Sequence, residues 1–254
     1  VGEAGSGKSA LLENLPLETP VPPLRAEATP EEQHDGCGWW FFNQALVLDV
    51  PGAYVHRPKG HTAEEGWTQV LRQLRRYRPR QPLNGIVLTL PATDLVGASA
   101  LSTAGIEAKA TRLYNRLQDL QRTVGLRLPV YVVVTKCDTV PGFAPFCRQL
   151  SPSKTDEILG WSNPNAIDAA YTSAWLNDAF EGLRENLYEA QIHALSENGR
   201  TDERDASFLF PDRVANLKEG LTTYLDQLFT QSVYHEGMIL RGVYLTGNQE
   251  AGGE

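Results

Sequence analysis

The run Gly2-Glu3-Ala4-Gly5-Ser6-Gly7-Lys8-Ser9 fits the pattern G-x-x-x-x-G-K-[ST], and no other stretch restricts the fold as strongly. Such a loop joins a buried parallel strand to a helix. Gly2 and Gly7 permit backbone conformations that a Cβ would obstruct. The N–H groups of Gly2, Glu3, Ala4, Gly5, Ser6, Gly7, Lys8, Ser9 and Ala10 can then turn inward on a phosphate. Lys8 can reach the β- and γ-phosphate oxygens, and the Ser9 hydroxyl can ligate Mg²⁺. Ala10 to Asn14 reads as a helix whose N-terminus faces the anion. Only Val1 precedes Gly2. The expectation is therefore that the sheet's first strand lies upstream, in a longer protein of which this sequence is a piece.

Downstream, apolar runs alternate with helical patterns. Trp39 to Phe42 and Ala45 to Val50, separated by Asn43-Gln44, predict a β-hairpin. The second run is continuously apolar, as in a strand buried on both faces. Gly85 to Leu90 and Pro129 to Val134 read the same way. Residues 63–78 and 99–124 carry helical spacing. The first of these helices puts Trp67, Val70, Leu71, Leu74 and Tyr77 on one stripe. Its arginines Arg72, Arg75, Arg76 and Arg78 read, with Arg80, as a solvated face. From Pro16 to Pro30 the prolines exclude helix and inner strand, and the segment reads as an extended loop. The expected architecture is an α/β, mostly parallel sheet flanked by helices, of the GTPase-like P-loop NTPase type, over residues 1–150. Residues 151–254 read as a mostly helical extension, with helices over 173–197 and 211–235 and a short closing strand at Ile239 to Thr246.

Composition narrows the function. The 254 residues are 41% hydrophobic with a net charge of -8, and no basic cluster sits beside stacking aromatics. That argues against nucleic acid as a partner. Cys37, Cys137 and Cys147 cannot all pair and form no C-x-x-C, which suits a reducing compartment. The five histidines make no zinc-spaced set with them. No apolar run is long enough to span a bilayer.

Two further motifs follow the loop in the order of a GTPase-type protein. Asp49-Val50-Pro51-Gly52 is a D-x-x-G at the end of a predicted strand. Asp49 can hold a water on Mg²⁺, and the Gly52 N–H can bond the γ-phosphate, so that Lys8, Asp49 and Gly52 would serve catalysis. Thr135-Lys136-Cys137-Asp138 is similar to the N/T-K-x-D base-recognition element. The Asp138 carboxylate can accept from guanine N1–H and the 2-amino group, and the Lys136 stem can lie along the base. With Ser9 and Asp49, Thr29 is the candidate third Mg²⁺ ligand, Thr19 being the alternative. An S-A-K base-contacting element is absent. Small GTPases place a water-orienting glutamine directly after D-x-x-G. Here that position is Ala53, with Tyr54, His56 and His61 as possible substitutes. Turnover should therefore be slow without a supplied group such as an arginine, which can contribute about 10³–10⁵ in rate.

Taken with Trp39-Trp40-Phe41, Leu48-Asp49-x-x-Gly52-x-Tyr54, Asn84 to Leu88, Pro129 to Asp138, Pro141-Gly142-Phe143, Phe210-Pro211 and Leu240-Arg241-Gly242-Val243-Tyr244-Leu245-Thr246, the chain resembles the cytoplasmic NTPase domain of the TssM/IcmF family, the large inner-membrane subunit of bacterial type VI secretion systems. The resemblance implies a domain on the cytoplasmic face of the inner membrane, tethered by helices outside this sequence. It implies partners among TssL-like and TssJ-like membrane-complex subunits and baseplate components. It also implies Mg²⁺-dependent binding and slow hydrolysis of ATP or GTP as a switch for assembly or recruitment. A nucleotide-binding docking scaffold with little turnover is the alternative. The family's usual D-T-A-G is D-V-P-G here, and Pro51 removes a backbone donor and stiffens that segment. Cys37-Gly38 stands where the family usually carries Cys-Asp.

Overall fold

The computed structural model describes residues 1–25, 37–56, 62–150, 158–196, 207–230 and 237–248. Its central sheet has four strands, β4 (Ile86–Pro91), β5 (Pro129–Thr135), β7 (Ile239–Leu245) and β6 (Gly160–Ser162), in that spatial order. β4, β5 and β7 are parallel, with Leu88 opposite Val132 and Val132 opposite Val243. The short β6 is antiparallel and closes one edge. The result is α/β with a mixed sheet. β7, expected as a short closing strand, lies inside the sheet between β5 and β6.

The second sheet is antiparallel and comprises β1 (Val21–Arg25), β2 (Gly38–Phe41) and β3 (Leu46–Asp49). β2 and β3 form the expected hairpin, with Trp39 opposite Leu48. β1 arises within the proline-rich stretch that read as loop. It is an edge strand with an irregular register between Val21 and Leu24, a place where prolines are tolerated. β3 departs from the expectation of a strand buried on both faces: Leu46 is exposed and the rest half-buried. β4 and β5 depart in part. Leu88, Val130, Val132 and Val134 are fully buried, while the paired Val87 and Tyr131 are 45% and 37% exposed. Period-2 alternation leaves one face open near the start of these strands.

The helices are α1 (Lys8–Glu13), α2 (Ala53–His56), α3 (Thr62–Tyr77), α4 (Thr103–Val124), α5 (Phe143–Gln149), α6 (Ala174–Ser196), α7 (Phe210–Ala215) and α8 (Leu217–Phe229). α4 starts where the Ser102 hydroxyl accepts from Gly105 N–H and stops at the left-handed Gly125, a normal capping pair. α8 packs along α4, close enough that a Cβ on Gly220 would sit 3.4 Å from Ile106 Cδ1. The single helix expected over 211–235 is broken at Asn216 into α7 and α8. On α3, Leu71 and Trp67 are buried, and Arg72, Arg75 and Arg76 are exposed, as are Arg78 and Arg80 beyond it. No described helix is long and apolar enough to cross a membrane. The three cysteines are free.

Candidate functional site

The glycine-rich loop lies against the carboxyl ends of β4 and β5. Val1 N–H donates to Val87 O at 2.7 Å, and Thr89 N–H donates to Val1 O at 2.9 Å. This is the parallel-bridge pattern, with Val1 opposite Leu88. Gly5 and Gly7 adopt positive φ, 72° and 77°, a region L-residues avoid. Gly2 is needed for a different reason. A Cβ there would sit 2.3 Å from Thr89 Oγ1 and 2.8 Å from Thr89 O.

Two threonines fix the loop. The buried Ser6 hydroxyl shares a 2.8 Å hydrogen bond with that of Thr89. Thr135, the last residue of β5, donates to Ser6 O at 2.8 Å and to Leu90 O at 3.3 Å. Thr135 was expected among nucleotide-binding residues, and its hydroxyl joins the loop to the Thr135–Asp138 motif.

The Lys8 ammonium folds back over the loop, donating to Gly2 O at 2.9 Å, Glu3 O at 2.7 Å and Ser6 Oγ at 3.4 Å. Burial lowers its pKa from the usual lysine value, opposed by the charges of Asp49 and Glu3. Beside it, Ser9 Oγ donates to Asp49 Oδ2 at 3.0 Å across 40 positions of sequence. The end of β3 thus meets the start of α1. Gly52 is pressed onto the loop from the same side: a Cβ would lie 2.1 Å from Ala4 N and 2.6 Å from Ala4 Cα. Ala10 is exposed on α1.

Lys136 is the one non-glycine with positive φ among the described residues, at 56°. It turns the chain into a short 3₁₀ segment, Cys137–Thr139. That turn abuts the residues after β7. Cys137 N–H donates to Thr246 O at 3.0 Å, and Asp138 Oδ1 accepts from Asn248 N–H at 3.0 Å.

The chain after Gly52 departs from one expectation. Tyr54 is buried against Trp67, ring centroids 6.2 Å apart, so its ring belongs to the core. Thr29, His61 and the His56 side chain lie outside the described residues. Thr19 is exposed.

Sequence reasoning treated Glu3 only as loop backbone. Its side chain is 9% exposed and paired with Lys109 at 2.7 Å and Arg112 at 3.3 Å. Lys109 also pairs with Asp94. The Tyr224 phenol on α8 is buried with no hydrogen-bond partner among the described residues. Burial, then the charges of Glu3 and Asp94, push its pKa up and keep it neutral. A signal existed: Lys109 falls on the stripe of Ile106, Ala110, Leu113 and Leu117, all buried, where a lone charge needs a partner.

The IcmF-related N-terminal domain model matches residues 61–254, and the chain belongs to that family. Over 99% of its length the chain is 29% identical to the type VI secretion system component TssM1 of Pseudomonas aeruginosa. It spans 23% of that protein's length. No solved structure matches it. The family match begins beyond the glycine-rich loop and Asp49, so membership rests on residues other than these.

Proposed function

We propose that this chain is a P-loop NTPase-type module that binds a nucleoside triphosphate with Mg²⁺ and cleaves it slowly. The observation that carries the reading is the 3.0 Å hydrogen bond from Ser9 to Asp49. A hydroxyl and a carboxylate from distant segments meet beside a loop whose lysine is already folded over it. Both are hard oxygen donors, the kind Mg²⁺ takes alongside phosphate oxygens and water. Among the described residues no three His, Cys, Asp or Glu gather as a metal set, and this site needs none. Bound there, Mg²⁺ would offset charge on the β- and γ-phosphates.

The protein's own groups divide the remaining work. Gly5 and Gly7 shape the loop so that its amides face one anion. Lys8 uses two strong bonds to hold its ammonium in place, and its longest contact, to Ser6, is the one a phosphate oxygen would replace. Gly52 brings the D-x-x-G backbone against the loop, where its N–H can sense a terminal phosphate. Asp138 addresses the base, beside the Lys136 stem. Ala53 and the buried Tyr54 leave no described side chain there to orient a water, which supports slow turnover. The same observation supports the second reading, a docking scaffold that binds nucleotide and seldom cleaves it. The likeness to TssM1 supports placing either activity in a secretion complex at the inner membrane. TssL-like and TssJ-like subunits and baseplate components are the proposed partners.

Titration of Mg²⁺-ATP and Mg²⁺-GTP against the chain and Lys8→Ala tests the binding. Loss of about 100-fold or more in the variant is expected, and unchanged affinity would overturn it. Single-turnover hydrolysis, with and without partner subunits, separates slow enzyme from scaffold.

A further inference from the structure

We infer that this chain associates head to tail by charge, the arginine face of α3 on one copy docking against an acidic stripe of α6 on the next. Both faces lie outside the nucleotide site described above. Sequence alone reads the arginines as a solvated face, because their complement sits on a helix far along the chain.

Helical spacing builds each face. On α3, Arg72, Arg75 and Arg76 are exposed while Trp67 and Leu71 are buried. These three arginines line a shallow concavity with Thr68 and Thr123, and Arg75 Nη1 donates to Thr123 O of α4 at 3.1 Å. An adjoining concavity adds Arg116 and Arg122 of α4. Its one carboxylate is Asp119, 3.9 Å from Arg116. On α6, Asp178, Glu181, Glu185 and Glu189 are all exposed. At 3.6 residues per turn they fall within about 80° of arc, opposite the buried Leu176, Phe180, Leu183 and Leu187. Arg184, also exposed, flanks the stripe.

The fold holds the two faces apart. α3 packs on α4, α4 on α8 and α8 on α6, a row with α3 at one end and α6 at the other. β4 and β6 are the two edges of the central sheet. α3 sits at the β4 end, where Trp67, Leu71 and Leu74 share a cavity with Ile86 and Val87, and α6 packs on β6. The faces therefore meet only between copies. Such a contact joins unlike surfaces and builds a ring or a filament, not a two-fold dimer. Four-residue steps recur on both helices, from Arg72 to Arg76 and from Glu181 through Glu185 to Glu189. Each step is about 6 Å along its axis, so guanidinium forks meet carboxylates at a common pitch. A second copy supplies that pitch, and a lipid surface has none to match.

Sedimentation velocity of the full chain over a range of concentrations tests this. Salt is varied from about 0.01 M to about 1 M, which shortens the screening length from about 30 Å to about 3 Å. One variant carries Arg72→Glu, Arg75→Glu and Arg76→Glu, and a second carries Glu181→Lys, Glu185→Lys and Glu189→Lys. Wild type should self-associate at low salt and dissociate at high salt. Either variant alone should associate at least about 10-fold more weakly, the scale of several exposed charge pairs. Their equimolar mixture should recover association, because the basic α3 of the second meets the acidic α6 of the first. Glutamine at the same positions covers a reversal that does not fold, and should weaken association in the same direction. Wild type that is monomeric at low salt overturns the inference. Association that survives either reversal, or a mixture that does not recover it, also overturns it. Monomeric wild type that binds phosphatidylglycerol vesicles through these arginines makes lipid the occupant and overturns the second copy.

Discussion

The two ends of the candidate site are built differently. At the glycine-rich loop, buried side chains do the fixing: Ser6 on Thr89, Thr135 on Ser6 O, Glu3 on Lys109 and Arg112. At Asp138, half-buried, the fixing is done by main-chain contacts from the residues after β7. The first end is welded into the core through α4. The second is a turn leaning on a loop. Changes at the first should therefore disturb stability and binding together, and changes at the second should cost less stability.

The sharpest way to break that contrast is Lys109→Met. It would leave Glu3 and Asp94 without their shared cation, both in largely dry surroundings. Removing one partner of a buried ion pair costs about 3–5 kcal/mol. Urea unfolding should show a loss of that size, whereas Asp138→Ala should stay within about 0.5 kcal/mol of wild type. Equal losses in the two variants would erase the distinction.

Gly52→Ala is the next test. Its Cβ meets backbone, not a side chain that can swing away, and overpacking of this kind costs about 1–3 kcal/mol. Triphosphate affinity should fall with stability, because the loop itself must shift. A variant of wild-type stability and affinity would mean that Gly52 and Ala4 are not in close contact.

The smallest effect concerns pH. Burial pushes the Cys137 thiol up to about 12 from an ordinary value of about 9. A raised value means the stabilising contribution is complete below pH 9 and is lost as pH rises from 9 toward 12. The Thr246–Cys137 contact sits at this thiol, so the turn bearing Asp138 should loosen in that window. Cys137→Ala should flatten this part of the alkaline unfolding curve, and an unchanged curve would show that the thiol plays no part.

Much of this was legible locally. β4 and β5 announce themselves as apolar runs rich in β-branched residues, the second ending in a motif, and the Trp39–Phe42 hairpin follows from two apolar runs around Asn43-Gln44. Ser9 and Asp49 were paired by motif order alone. What was hidden depends on contacts far apart in the chain. Nothing near Ile239 tells that β7 lies between β5 and β6, since parallel neighbours are chosen by packing across long crossovers. Gly247 carries no local signal, because its demand for space comes from Asp138 and Phe143. Tyr54 looked available because nothing in the motif reveals that Trp67 covers it.

The position of β7 also sets a timetable. A ribosome delivers the glycine-rich loop, Asp49 and the Thr135–Asp138 turn well before Ile239 to Asn248. Until the segment Ile239 to Asn248 emerges, β5 has an unpaired edge and Asp138 lacks its amide partner. A nascent chain could close the glycine-rich loop onto β4 and β5 early, yet complete the packing of the Asp138 turn only once β7 has emerged.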